Sequence, residues 1–180
     1  MTCCFFGHKV TPSTAAHLIE ETINKLISEQ GVTSFLVGNQ GQFDAMALSV
    51  LRNMKIKHPS IMYNVVLAYM PSVGSAEWNP YEYGETMLPK GIEVVHPRYA
   101  ISWRNKWMVN ESDIVVCYIN RSWGGAAKYV EMATKKAKRL SIWPNNKTAP
   151  CSFNEVHDAD FYFPILLVMN VHLTSAIYPK

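Results

Sequence analysis

A short apolar run that leads through a glycine-bracketed turn into a helix constrains the fold of this chain most. The run spans residues 35–47 (FLVGNQGQFDAMA), with Gly38 and Gly41 on either side of the turn. In α/β proteins such a junction points backbone N–H groups and the positive end of a helix at the space above the sheet, which suits a phosphate. An ordinary tight turn, in which the glycines only supply unusual dihedral angles, explains the same pattern. The stretch alone predicts the turn and leaves its ligand open.

The rest of the chain alternates between apolar runs typical of buried strands and longer stretches with helical periodicity. The predicted strands cover residues 2–6, 33–37, 64–70, 92–95, 113–119 and 140–143. The predicted helices cover residues 12–30, 43–57, 99–111 and 126–139, with Thr11 as the cap of the first. Because the connections are short, this order predicts a parallel sheet covered by helices on both faces.

Two segments lack a regular period and are predicted to be irregular. Residues 71–90 contain several prolines and glycines together with Trp78, Tyr81 and Tyr83, and a loop of that length in a compact domain is usually functional or mobile. Its aromatic side chains could cover a ligand, pack on a partner subunit or close over the sheet edge. Residues 144–180 form a tail with an apolar segment that packs on the domain, packs on another chain or is a non-native extension. The predicted domain therefore spans residues 1–143.

Composition argues against several classes of protein. The formal net charge of +3 is too small to indicate nucleic acid as a partner. A hydrophobic content of 48% indicates a rather apolar surface and favours a homodimer. No run approaches the roughly 20 apolar residues of a membrane span, and the N-terminus lacks the pattern of a signal peptide. The cysteines show no disulfide or metal-binding spacing and are predicted to be buried side chains in a reducing cytoplasm.

A second junction of strand, glycine and helix lies at Gly124-Gly125. In a doubly wound sheet the carboxyl ends of the parallel strands share one edge, so both glycine turns are expected to open on the same crevice. His8 and Lys9 follow the first strand, and Arg104 lies on the helix between the two junctions, where its fork of donors suits a phosphate. A solvated position on the helix surface explains Arg104 equally well.

Two carboxylates follow the glycine turns, Asp44 after the first and Glu131 after the second. Both are expected as acidic residues near a helix start, and catalysis or ribose binding is the sharper hypothesis for each. The chain lacks a His-x-x-x-His spacing, a Gly-x-Ser-x-Gly nucleophile turn, a Walker A loop and, at the first turn, the Gly-x-Gly-x-x-Gly spacing of an NAD site. We therefore predict neither a metal nor a cofactor.

Four short motifs follow one another along the chain. They are residues 4–9 (CFFGHK), 38–44 (GNQGQFD), 104–108 with 112–113 (RNKWM and SD), and 124–131 (GGAAKYVE). In this order they resemble the YpsA-like branch of the SLOG superfamily, which groups the DNA-processing protein DprA with the cytokinin-activating LOG phosphoribohydrolases. The match covers residues 1–143.

The resemblance implies a Rossmann-like, doubly wound, mostly parallel α/β fold whose two glycine loops and arginine hold a nucleotide or nucleotide-derived ligand. The enzymes of the superfamily cleave the N-glycosidic bond of nucleoside 5′-monophosphates with an arginine and a glutamate from a Pro-Gly-Gly-x-Gly-Thr-x-x-Glu motif. This chain lacks that proline, has Ala126-Ala127 in place of Gly-Thr, and places Glu131 late. The resemblance therefore favours binding without turnover, as in SLOG sensor domains.

The first prediction is a cytoplasmic homodimer that binds a nucleotide-derived small molecule. The alternative is a LOG-like phosphoribohydrolase in which Glu131 and Arg104 are catalytic. A third hypothesis, a DprA-like nucleic-acid binder, is disfavoured because the charge is mild and no basic stripe is present. The predicted ligand-binding residues are Gly7, His8, Lys9, Gly38, Asn39, Gly41, Phe43, Asp44, Arg104, Gly124, Gly125 and Ala126.

Overall fold

A six-stranded sheet forms the centre of the fold in this computed structural model, which describes residues 1–70, 85–119, 124–136 and 138–143. All of its strand pairs are parallel. The strands are β1 (Thr2–Gly7), β2 (Ser34–Val37), β3 (Met62–Val66), β4 (Thr86–Met87), β5 (Ile114–Tyr118) and β6 (Arg139–Trp143). Their order across the sheet is β4-β3-β2-β1-β5-β6, which is a doubly wound arrangement.

Within the described residues, four α-helices cover the two faces of this sheet. They are α1 (Ala15–Gln30), α2 (Gln42–Lys57), α3 (Pro97–Glu111) and α4 (Gly125–Lys135). One face buries Cys3 and Phe5 of β1 with α1 and α2, and the other buries Cys4 and Phe6 with α3 and α4. Successive side chains of a strand point to opposite faces, so a sheet covered on both sides needs the continuous apolar run of β1. The predicted Rossmann-like α/β fold is confirmed.

The direction of winding reverses between β1 and β5. From β1 the chain moves outward through β2, β3 and β4, and it then returns to add β5 and β6 on the other side of β1. The register pairs Gly7, at the end of β1, with Tyr118, at the end of β5. In open α/β sheets, ligands bind outside the carboxyl ends of the strands at such a reversal. The segments that follow β1 and β5 are therefore the expected walls of a site.

The first helix begins later than its sequence signals predict. The helix α1 starts at Ala15 rather than directly after Thr11. The Thr11 hydroxyl donates to the carbonyl oxygen of His8 over 2.9 Å, and the Thr11 N–H donates to Oε1 of Gln42 over 3.0 Å. Thr11 therefore joins the segment after β1 to the start of α2 instead of capping α1.

Two short apolar runs differ from the sequence prediction, the first in its bounds and the second in its type of element. The strand β3 covers Met62–Val66 rather than residues 64–70. Residues Ile92–Val94 form a 3-10 turn where a strand was predicted. Hydrophobic periodicity cannot distinguish a short buried strand from a short helical turn, because both appear in the sequence as a brief apolar run.

The edge strand β4 lies inside a segment predicted to be irregular. Glu85, directly before it, is buried. Its carboxylate accepts hydrogen bonds from Nε of Arg52 over 2.9 Å and from the Tyr63 hydroxyl over 2.6 Å. Burial, followed by the bond and the charge of Glu85, raises the pKa of Tyr63 to about 12. These contacts fasten β4 to β3 and α2.

The remaining predictions for the irregular segments lie outside the described residues. They concern residues 71–84 and the tail from 144 to 180. The alternatives given for the aromatic loop and for the tail stay predictions, as does the domain boundary after residue 143.

Candidate functional site

A cavity of about 270 Å³ opens at the carboxyl ends of β1 and β5. The segment after β1, the first glycine turn, one side of α3 and the first turn of α4 form its walls. The predicted site residues that line it are Gly7, His8, Lys9, Gly38, Asp44, Arg104, Gly124, Gly125 and Ala126. The two glycine junctions therefore open on one crevice, as the predicted topology requires.

Three residues predicted to bind the ligand do not line this cavity: Asn39, Gly41 and Phe43. Phe43 is 1% exposed and stacks on Tyr118 with the ring centroids 6.0 Å apart, so its ring belongs to the core. Gly41 has a φ of 142°, and a Cβ on it would lie 2.8 Å from the Cα of Lys9. Its role is to let two segments of backbone approach each other.

Glu131, the candidate catalytic carboxylate, also lies outside the cavity. Its side chain is 66% exposed, and Oε1 accepts from Nζ of Lys135 over 2.6 Å. That bond and the charge of Lys135 lower the pKa of Glu131. Tyr129, two residues earlier, lines the cavity, and positions two apart on a helix do not share a face. Glu131 is thus a solvated residue on the outer side of α4.

The first glycine turn uses its backbone N–H groups within the protein. The N–H of Gln40 donates to Oδ2 of Asp44 over 2.8 Å. The N–H of Gln42 donates to the carbonyl oxygen of Lys9 over 3.0 Å. These two amides of the predicted phosphate cradle are therefore already bonded, and the turn mainly joins β2, α2 and the segment after β1.

Among the described residues, the glycines of the second junction have free space around them. Neither Gly124 nor Gly125 has a described atom within 4 Å of the position that a Cβ would occupy. The first turn of α4 contains no acidic residue, and Gly124, the cap residue with a φ of 103°, has no side chain to cap it. The N-terminus of a helix carries a partial positive charge of about half an elementary charge. This end of α4 is the better anion site of the two.

Arg104 and Asp44 form the floor of the cavity. Arg104 is 1% exposed, and its Nη1 donates to the carbonyl oxygen of Val66 over 2.7 Å. A Cβ on Gly38 would lie 2.5 Å from Oδ2 of Asp44 and 2.8 Å from Nη1 of Arg104, so only glycine fits between them. Burial raises the pKa of Asp44, although the Gln40 N–H and the charge of Arg104 oppose that change. Arg104 is thus a buried cation and not the solvated residue of the alternative interpretation.

Some residues of the cavity wall were not identified from the sequence. The additional polar ones are Gln40 and Asn105, and the aromatic and apolar ones include Tyr129 and Met108. Helical spacing offers a signal for two of them. Met108 follows Arg104 by four residues, and Tyr129 follows Gly125 by four, so each lies on the same helix face as a predicted residue.

The described residues contain neither a metal-binding cluster nor a membrane-spanning helix. No group of three or more His, Cys, Asp or Glu side chains among them could hold a metal ion. No helix in the described part of the chain is long and apolar enough to cross a membrane.

The fold is similar to that of two solved structures of DNA processing protein A (DprA). The protein from Streptococcus pneumoniae is 15% identical, with a TM-score of 0.53 over 82% of this chain and 51% of that chain. The protein from Helicobacter pylori, described for its single-stranded DNA binding mode, is 15% identical, with a TM-score of 0.52 over 82% of this chain and 67% of that chain. This chain therefore spans about half the length of the pneumococcal protein. No family model and no curated protein matches it.

The similarity supports the Rossmann-like α/β fold, while the SLOG superfamily, its YpsA-like branch, the homodimer and the cytoplasmic location stay predictions. The similarity to DprA contradicts the prediction made for the binding partner. A nucleotide-derived small molecule was predicted and nucleic acid was disfavoured, yet the structural neighbours include a protein that binds single-stranded DNA. The error lies in the use of net charge, because a sum over the whole chain does not report where the exposed cations lie.

Proposed function

We propose that this chain binds single-stranded DNA, with one backbone phosphate held at the rim of the cavity. The observation that supports the proposal is the N-terminus of α4 at the crevice between β1 and β5, where no described atom lies within 4 Å of a Cβ placed on Gly124 or Gly125. Backbone N–H groups at a helix start bind phosphate because they donate hydrogen bonds and because the helix dipole favours negative charge. The single-stranded DNA binding of the H. pylori protein supports the choice of ligand.

Two lysines supply positive charge near this helix start. Lys9 is exposed and lines the cavity, and Lys128 is exposed in the first turn of α4. Exposed lysines attract phosphates as mobile point charges and release counterions from the strand when they do so. Their contribution is independent of base sequence. Binding is therefore expected to weaken steeply as salt is added.

The role of Lys9 can be tested against a lysine elsewhere. We expect Lys9→Ala to weaken binding of a single-stranded oligodeoxynucleotide about fivefold and to reduce the slope of log K against log salt by about 0.7, the value for one lost phosphate contact on a single strand. Fluorescence anisotropy at several salt concentrations measures both quantities.

Lys25→Ala is the matched control, because Lys25 is an exposed lysine of α1 that does not line the cavity. It removes the same charge and should leave the slope unchanged. Equal losses in the two variants would show that binding depends on net charge alone and would refute the proposed location.

A further inference from the structure

The carboxylate of Asp44 accepts the Gln40 N–H, but a site that binds only phosphate gives no further role to its negative charge at the cavity. It lines the cavity, and burial raises its pKa, so the charged form is held there at a cost in free energy. An ionised carboxylate only accepts hydrogen bonds, and it repels a phosphate at close range. The chemistry of Asp44 therefore fits a hydrogen-bond donor on the ligand.

The charged side chains on the floor of the cavity have opposite signs, whereas the rim carries a positive charge. Asp44 and Arg104 converge on the same side of Gly38, so their opposite charges largely cancel toward the cavity. Asn105, which also lines the cavity, is neutral. Lys9 is exposed at the rim. A neutral polar group of the ligand therefore fits the floor, and a phosphate fits the rim.

We infer that the floor receives one unstacked base of a bound single strand and that Asp44 selects guanine. The inference rests on the proposed function, because it assigns a base to the same cavity whose rim holds the phosphate. Bases of single strands can be splayed out and hydrogen-bonded on their Watson–Crick edges. A cavity of about 270 Å³ lies just below the range of about 300–1,000 Å³ typical of small-molecule pockets, which suits one base rather than several.

Guanine suits a carboxylate better than the other bases do. Its N1–H and N2–H donors lie side by side, and the two oxygens of a carboxylate can accept both at once. Oδ2 of Asp44 already accepts from the N–H of Gln40, but each carboxylate oxygen can accept a second bond. The side-chain amide of Asn105 can donate to guanine O6. Adenine and cytosine offer one amino group on that edge, and thymine offers only N3–H.

The test compares two oligothymidylates, one with a single internal guanine and one with hypoxanthine, which lacks the 2-amino group, in its place. We expect the wild-type protein to bind the guanine strand about tenfold more tightly, the discrimination typical of one good bidentate contact. Asp44→Asn keeps an oxygen for the Gln40 N–H but replaces the other acceptor by a donor. This variant should therefore bind the guanine and hypoxanthine strands with about equal affinity. Glu131→Gln, which neutralises an exposed carboxylate outside the cavity, should keep the tenfold preference.

The outcomes separate this inference from the proposed function. Equal binding of the two strands by the wild-type protein would overturn the guanine site and leave DNA binding standing. No binding of either strand would overturn the proposed function itself. A tenfold preference that persists in Asp44→Asn, with an unfolding curve showing a folded variant, would overturn the assignment to Asp44.

Discussion

Replacing Gly125 by glutamate is expected to weaken binding of single-stranded DNA about 100-fold, or about 2.8 kcal/mol, while the protein stays folded. Gly125 is the first residue of α4, and a Cβ there would meet no described atom within 4 Å. A carboxylate at a helix start adds about 0.3–1 kcal/mol of stability. The same carboxylate occupies the anion site and repels a phosphate, since two unit charges 4 Å apart near a protein surface interact by about 4 kcal/mol.

Gly125→Gln is the matched control, because glutamine has the same size without the charge. We expect it to lose less than tenfold in affinity, since the backbone N–H groups remain and only bulk is added. Anisotropy titrations give the two affinities, and thermal unfolding confirms that both variants fold. Similar losses in the two variants would mean that bulk rather than charge obstructs the ligand, against the phosphate site at α4.

Replacing Gly7 by alanine is expected to destabilise the protein by about 3 kcal/mol, at the upper end of the usual cost of overpacking a core. A Cβ on Gly7 would collide with the ring of Phe43. That ring cannot move aside easily, because it is 1% exposed and stacks on Tyr118. Urea unfolding followed by circular dichroism measures the loss.

Gly125→Ala provides the comparison for this prediction. It adds the same methyl group at the other side of the cavity, where no described atom lies within 4 Å, and it should change the free energy of unfolding by less than about 0.5 kcal/mol. If Gly7→Ala were equally mild, the close packing of β1 against the start of α2 would be wrong, and with it the shape of the cavity.

The fold was predictable because its signals are local and repeated. Continuous apolar runs marked β1 and β5, which are buried on both faces of the sheet, and helical periodicity marked α1 and α2. The strand β4 escaped detection for a physical reason. A strand of two residues is too short to show an alternating hydrophobic pattern. It is held in place by contacts of Glu85 with Arg52 and Tyr63, which lie 33 and 22 positions away in the chain.

The location of the cavity was predictable from the sequence, but the contacts of the residues around it were not. The order of strands and glycines places both junctions at one edge of the sheet. The sequence does not reveal that the N–H of Gln42 donates to the carbonyl oxygen of Lys9 and that the N–H of Gln40 donates to the carboxylate of Asp44. The first of these bonds depends on how two distant segments meet. For the same reason the buried position of Arg104, fixed by the carbonyl oxygen of Val66, could not be told from a solvated one.

The most direct test of single-stranded DNA binding is a titration of the wild-type protein with a single-stranded oligodeoxynucleotide and with a duplex of equal length, at low and at moderate salt. The proposed binding of one base in the cavity and of phosphate at its rim predicts a higher affinity for the single strand, and this affinity should fall as salt rises because phosphate contacts release counterions. Absence of binding at low salt, or an affinity for the single strand that does not change with salt, would contradict it.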